Sequence, residues 1–217
     1  MPLRNGENGY GVVTKVLHWL TVVAIVGQFL VGWTMEADDD AFDREKDRID
    51  ALEDAGKDRA KEQGDAAEDA FKDEIDRLDD QLDAREDDYV SAAFSDVFSG
   101  DFLTDGVSLP EIHVLLGLSI MGLGLLRVAW RFATPLPPWA PYLRPGERRL
   151  QAVLEKLLMT LLFVVPASGL LLIASGDDWL AAHIAAQLVL LAVIAVHVGL
   201  VLSHTVVRRD GQLWRMV

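Results

Sequence analysis

The chain of 217 residues contains no cysteine. Disulfides, thiolate zinc sites, cysteine-ligated iron–sulfur clusters and CxxCH haem attachment are therefore excluded together. Compartment stays open, because a chain without thiols suits either side of a membrane. The sequence also lacks a Walker loop, a GxGxxG run and any Ser–His–Asp arrangement, which argues against the nucleotide-binding and hydrolytic classes. Basic charge is in short supply: 20 Lys and Arg stand against 34 Asp and Glu, a net charge of −14. The few basic residues of the tail do not point to nucleic acid.

The acidity is not spread evenly. Residues 36–105 hold 27 acidic and nine basic side chains, whereas the remaining residues are slightly basic and very apolar. A uniform soluble globule is thereby excluded. Four apolar runs stand out: Val16–Met35, Ile112–Leu126 (extended to Trp130 across Arg127), Leu157–Gly176 and Trp179–Val207. A helix needs about 20 apolar residues to cross a hydrocarbon core of roughly 30 Å. Three runs meet that length outright. The second meets it because Arg127 lies one turn from its end, where a long side chain can snorkel. The expected fold is all-α: an integral membrane four-helix bundle contacting lipid, with an acidic helical insert between helices one and two. In residue terms this is a stub and first helix over 1–35, the insert over 36–105, and helices two to four with a loop and tail over 106–217.

The first run follows only Arg4 and Lys15, is long for a signal peptide and has no small-x-small site after it, so it reads as an uncleaved helix. Lys and Arg collect in the amino-terminal stub, in the connection from helix two to three and in the tail. The connection between helices three and four holds only Asp177 and Asp178. The positive-inside rule places both termini and the 131–156 loop in the cytoplasm and the insert outside. Five prolines between 135 and 145 make that loop extended and surface-lying. In the insert, Phe71, Ile75, Leu78 and Leu82 recur at helical spacing, with Phe42, Ile49 and Leu52 as a weaker stripe. Gly56 and Gly64 interrupt. Two charged helices follow, as a hairpin or a self-associating pair. They serve as a solvated spacer, an oligomerisation arm or a docking surface for a basic partner.

The chain has five histidines, His18, His113, His183, His197 and His204, and all lie in or beside the apolar runs. An ionisable residue at membrane depth marks function by default. His18 and His197 fall toward the inner face, and His113 and His183 toward the outer. The 14 residues from His183 to His197 span about 21 Å and return to within about 40° of the same direction. Facing imidazole pairs are what bis-histidine haem ligation requires. His204 lies seven residues beyond His197 on nearly the same face. By depth alone it is an alternative ligand, a contact to a haem propionate, or a helix cap. Arg127 and Arg131 are candidates for inner-side propionates, and equally serve as positive-inside anchors. Gly27, Gly32, Gly117, Gly122, Gly124 and Gly199 admit either a macrocycle or close helix packing. Pro166, with Ser168 and Gly169, kinks helix three. Glu111, Ser175 and Trp179 are candidates for a quinone pocket.

These residues resemble the bacterial cytochrome b561 family, four-helix di-haem cytochromes b related to the cytochrome b subunits of nickel–iron hydrogenases. The resemblance is carried by Leu17-His18-Trp19-Leu20, by His113 with Gly117, by Arg127-Val128-Ala129-Trp130-Arg131 and by Pro166-Ala167-Ser168-Gly169. His183, His197 and His204 follow, with a tail reading Arg209-Asp210-Gly211-Gln212-Leu213-Trp214-Arg215-Met216. It covers about residues 10–35 and 107–217. It implies two b haems held by His18, His113, His183 and His197, favouring His197 over His204. It also implies single-electron exchange with quinone in the bacterial inner membrane. Some members resemble superoxide-to-quinone oxidases, and others anchor a redox partner. Two departures are visible. Glu155 stands where many members carry a further His, and the long insert replaces a short loop. A charge of −18 at the outer mouth disfavours superoxide and favours a basic periplasmic redox protein, screened beyond about 10 Å.

Overall fold

The computed structural model describes residues 2–7, 9–105, 107–175 and 179–216, without the side chains of 36–43, 83, 84, 86–90, 105 and 212. The side chain of Phe42 and the connection with Asp177 and Asp178 thus lie outside the described residues. The helices are α1 (Val12–Gln63), α2 (Asp65–Ser99), the single turn α3 (Phe102–Asp105), α4 (Leu109–Ala133), α5 (Pro145–Ser175) and α6 (Leu180–Leu202). Four stretches are long and apolar enough to cross a membrane: Val12–Met35, Leu109–Ala133, Pro145–Ser175 and Leu180–Val207. Their 24 to 31 residues span about 36–46 Å at 1.5 Å per residue, more than the hydrocarbon core requires. Large apolar side chains remain outside: Val23 is 67% exposed, Leu125 60% and Leu188 61%. Such an uninterrupted apolar surface is covered by lipid, where each helix satisfies its own backbone.

The chain divides into two compact units, Met1–Gly27 with Leu116–Val217, and Gln28–Leu115. In the first, Ala24 of α1, Ile120 of α4 and Leu162 of α5 are buried together, wrapped by Ile25, Leu123, Met159 and Phe163. A Cβ on Gly124 would sit 3.0 Å from the Phe163 ring, so this glycine sets the close approach of α4 and α5. α6 packs along α5.

α5 begins twelve residues before its apolar run. The prolines keep only 134–144 out of helix, and Pro145 opens α5 where its missing N–H costs nothing. Glu147 accepts the Arg144 N–H at 2.9 Å, which caps the first turn. The loop is also less superficial than its prolines suggest, since Thr134, Ala140 and Leu143 are buried.

In the second unit the insert is a helical hairpin. α1 continues without a break to Gln63, and Gly64, with φ 105°, makes the turn into α2. Gly56 does not interrupt the helix. A Cβ there would lie 2.3 Å from the Phe71 ring, so its missing side chain is the seat of an aromatic from α2. Ile49, Ile75 and Leu82 form the buried seam, with Phe71 and Leu78 against it. A Glu45–Arg85 pair at 2.8 Å crosses the hairpin, though exposed pairs contribute only about 0–1 kcal/mol. The apolar seam therefore carries the hairpin. Leu82 is 2% exposed and Leu52 is 56% exposed. Leu82→Ala is expected to weaken the hairpin by about 2–5 kcal/mol, and Leu52→Ala by less than about 0.5 kcal/mol. Hydrogen exchange of the insert amides in the full chain measures both.

Candidate functional site

The histidines come from α1, α4, α6 and the turn that follows α6, and their surroundings differ. His18, on α1, packs edge-on against Trp19 with ring centroids 5.6 Å apart. His197 of α6 lies within electrostatic reach of His18, and the Arg127 guanidinium of α4 within reach of both. The two inner-face imidazoles thus lie within electrostatic range of one of the two arginines singled out in the sequence.

The second arginine has a different neighbour. Arg131 pairs with Glu155 of α5 at 2.7 Å. Glu155 in turn bears on Arg127 and on Tyr10. Burial lifts the Tyr10 hydroxyl above its ordinary value, Glu155 adds to the rise, and Arg215 and Arg131 offset part of it. A line of charged and polar groups therefore runs from His18 and His197 to the basic end of this unit.

His204 is the most enclosed of the five, at 1% exposed. Its Nδ1 lies 2.9 Å from an Asp210 carboxylate oxygen and its Nε2 3.8 Å from Glu147. Tyr142 packs on its ring at 5.9 Å between centroids. Glu147 is also held by Arg208. The backbone makes this possible: α6 ends in a π turn over Ser203–Val207, closed by Arg208 N–H donating to Ser203 O, and this swings His204 inward. Both ring nitrogens thus face carboxylates.

The same end gathers the three basic segments. Asn5 donates to Pro135 O, Trp19 Nε1 to Met216 O and Arg215 to Pro138 O. Arg215 also stands over the Tyr10 ring, 5.8 Å from its centroid. Stub, loop and tail are one packed face.

The other two histidines are held by single side chains. In the second unit, the Gln28 amide nitrogen lies 3.0 Å from His113 Nε2. The Gln28 amide thus engages the Nε2 edge of His113. A Cβ on Gly32 would lie 3.4 Å from the His113 ring. In the first unit, His183 Nδ1 lies 2.9 Å from Ser168 Oγ. A Cβ on Gly169 would lie 3.2 Å from the His183 ring. Both glycines let an imidazole approach the backbone of a neighbouring helix closely. Open space fronts Gly122 and Gly199, with no atom within 4 Å of a Cβ there.

Sequence reading alone does not single out Gln28, although an amide inside an apolar run is the available signal. Glu111 is 5% exposed and accepts the Ser108 N–H at 2.6 Å, while Ser108 Oγ accepts the Glu111 N–H at 3.4 Å. This is a capping box at the start of α4, which occupies one of its carboxylate oxygens. Ser175 and Trp179 are exposed.

Comparison with known proteins identifies the family. The family model described as prokaryotic cytochrome b561 matches residues 9–217. Cytochrome b562 of Cereibacter sphaeroides is 33% identical over 107 residues, which are 49% of this chain. The chain spans 66% of that relative's length, just under two thirds. No solved structure matches.

His204→Ala removes a buried group with two carboxylate contacts, and such a loss costs about 1–3 kcal/mol or more. Trypsin cleavage at Arg208, Arg209 and Arg215 is expected to accelerate several-fold in the variant, scored by mass spectrometry of the tail.

Proposed function

The chain belongs to the prokaryotic cytochrome b561 family, a haem-containing membrane electron-transfer protein, and from that premise we propose that it carries single electrons across or within the inner membrane, exchanging them with quinone. The observation that carries this reading is the electrostatic influence of His197 and Arg127 on His18, all three within apolar helices. Two imidazoles and one cation suit a b haem, which needs two axial nitrogens and a partner for its propionates. His113 and His183 are the ligands we assign to a second haem, from their depth in the sequence. His183 meets Ser168 through Nδ1, which leaves Nε2 for the metal, whereas Gln28 contacts His113 at Nε2, so ligation there replaces that contact. The donor set thus accommodates the cofactor that the family implies. Bound there, haem supplies the one-electron iron couple that amino-acid side chains lack.

The protein supplies the rest. Apolar helices exclude water from the imidazoles and keep them neutral donors. Arg127 offers its charge on the same level. Arg131, engaged by Glu155, acts as a positioning group for that end. His204, with both nitrogens turned to carboxylates, organises the tail, so His197 is the inner ligand of α6.

Orientation follows the same charges. The stub, the 134–144 loop and the tail pack on one face, which supports placing both termini in the cytoplasm and 36–105 in the periplasm. A second reading has the chain relay electrons for a basic periplasmic protein docked on the insert. It draws on the exposed acids of the hairpin, among them Asp50, Asp54, Asp73 and Asp76. Copurification of a haem or copper protein with the full chain, lost on deletion of 36–105, would favour it.

A reduced-minus-oxidised spectrum with a pyridine haemochrome count is expected to give two low-spin b haems per chain. His18→Ala and His197→Ala should each remove the same haem, His113→Ala and His183→Ala the other, and His204→Ala neither. A haem-free purified chain from haem-replete cells would sink the redox reading. Topology is open to single cysteines, because the chain has none of its own. Ser95→Cys should react with an impermeant maleimide in intact cells, and Gly146→Cys only after permeabilisation.

A further inference from the structure

Ser168 lies two residues after Pro166 within α5 and has no assigned role. It is 8% exposed, yet it sits between two polar atoms. Its Oγ lies 2.8 Å from Val165 O and 2.9 Å from His183 Nδ1. A serine hydroxyl has one proton and two lone pairs. Val165 O can only accept, so the serine proton points to it. The His183 contact is then attractive only if Nδ1 carries a proton and donates to Oγ. The reverse arrangement, with the serine proton on Nδ1, would bring two unprotonated oxygens to 2.8 Å. The chain of donors therefore runs from Nδ1 through the hydroxyl to the carbonyl, and the lone pair of His183 is left on Nε2.

Gly169 completes the seat. Any side chain there would press on the ring at 3.2 Å, so the imidazole lies against the backbone of α5. One residue of α5 thus sets the tautomer and the next sets the ring's approach. We infer that Ser168 is a positioning residue that fixes His183 as the Nδ1–H tautomer, with Nε2 as the metal-binding nitrogen. This rests on the reading of His183 as a haem ligand. A metal-bound imidazole that donates its other N–H is a stronger electron donor, and such outer partners tune both orientation and potential. The hydrogen bond favours the oxidised metal, so losing it raises the midpoint potential of that haem and leaves the other unchanged.

The test uses the full chain with haem. Ser168→Ala should keep both haems and shift one of the two midpoints to a more positive value. Ser168→Thr, which keeps the hydroxyl, should restore it. If Ser168→Ala sheds a haem that Ser168→Thr retains, the hydroxyl is again the cause. If both variants shed it, or if Ser168→Ala leaves both midpoints in place, the proposed role is overturned. In haem-free protein at pH 8, 15N shifts of labelled histidine should show His183 protonated on Nδ1, and a mixture of tautomers in Ser168→Ala. A wild-type ring protonated on Nε2 would also overturn it. His183→Ala separates the two layers: retention of both haems in that variant removes the ligand reading alone, whereas the haem-free spectrum still decides the tautomer.

Discussion

An imidazole inside an apolar bundle has two nitrogens and few partners. Leaving either unsatisfied costs free energy of the order of a lost hydrogen bond, about 1–3 kcal/mol. This constraint organises the membrane part of the molecule. His113 is met by Gln28, His183 by Ser168, and His204 by Asp210 and Glu147. His18 and His197 share the neighbourhood of Arg127. Of these, His183 has its tautomer set by geometry, because the Ser168 hydroxyl is committed to the Val165 carbonyl.

The same accounting separates two kinds of histidine. A residue held through Nδ1 alone, as His183 is, keeps Nε2 for a further partner. A residue with both nitrogens opposite carboxylates is a structural knot. His204 is of the second kind, and it ties the π turn at the end of α6 to the head of α5 and to the tail. That knot lies where stub, loop and tail converge. The basic segments counted for orientation are therefore one assembled surface and not three separate tethers.

The hairpin obeys a different rule. In water its charges are cheap to expose, and a short apolar seam of Ile49, Ile75 and Leu82 is enough to pair α1 with α2. Its sequence signature is correspondingly thin. The stripe over Phe71 to Leu82 is legible because helical spacing is local. The role of Gly56 is not, because it depends on an aromatic fifteen residues away folding back onto it. A glycine that reads as a breaker along the chain is a socket across it.

Four spans, their approximate ends, the acidic hairpin and the five histidines were all determined by the sequence by itself. Each is a sum of properties along the chain: apolar length against bilayer thickness, charge counts, spacing against 3.6 residues per turn. Only the tertiary structure decided the start of α5 at Pro145, the capping box that engages Glu111, the pairing of Arg131 with Glu155, and the partners of each imidazole. The physical reason is that hydrophobicity is additive and local, whereas a hydrogen bond depends on distances of about 3 Å between helices. Helical spacing could place His197 and His204 on one face, but only the folded chain could close His204 between two carboxylates.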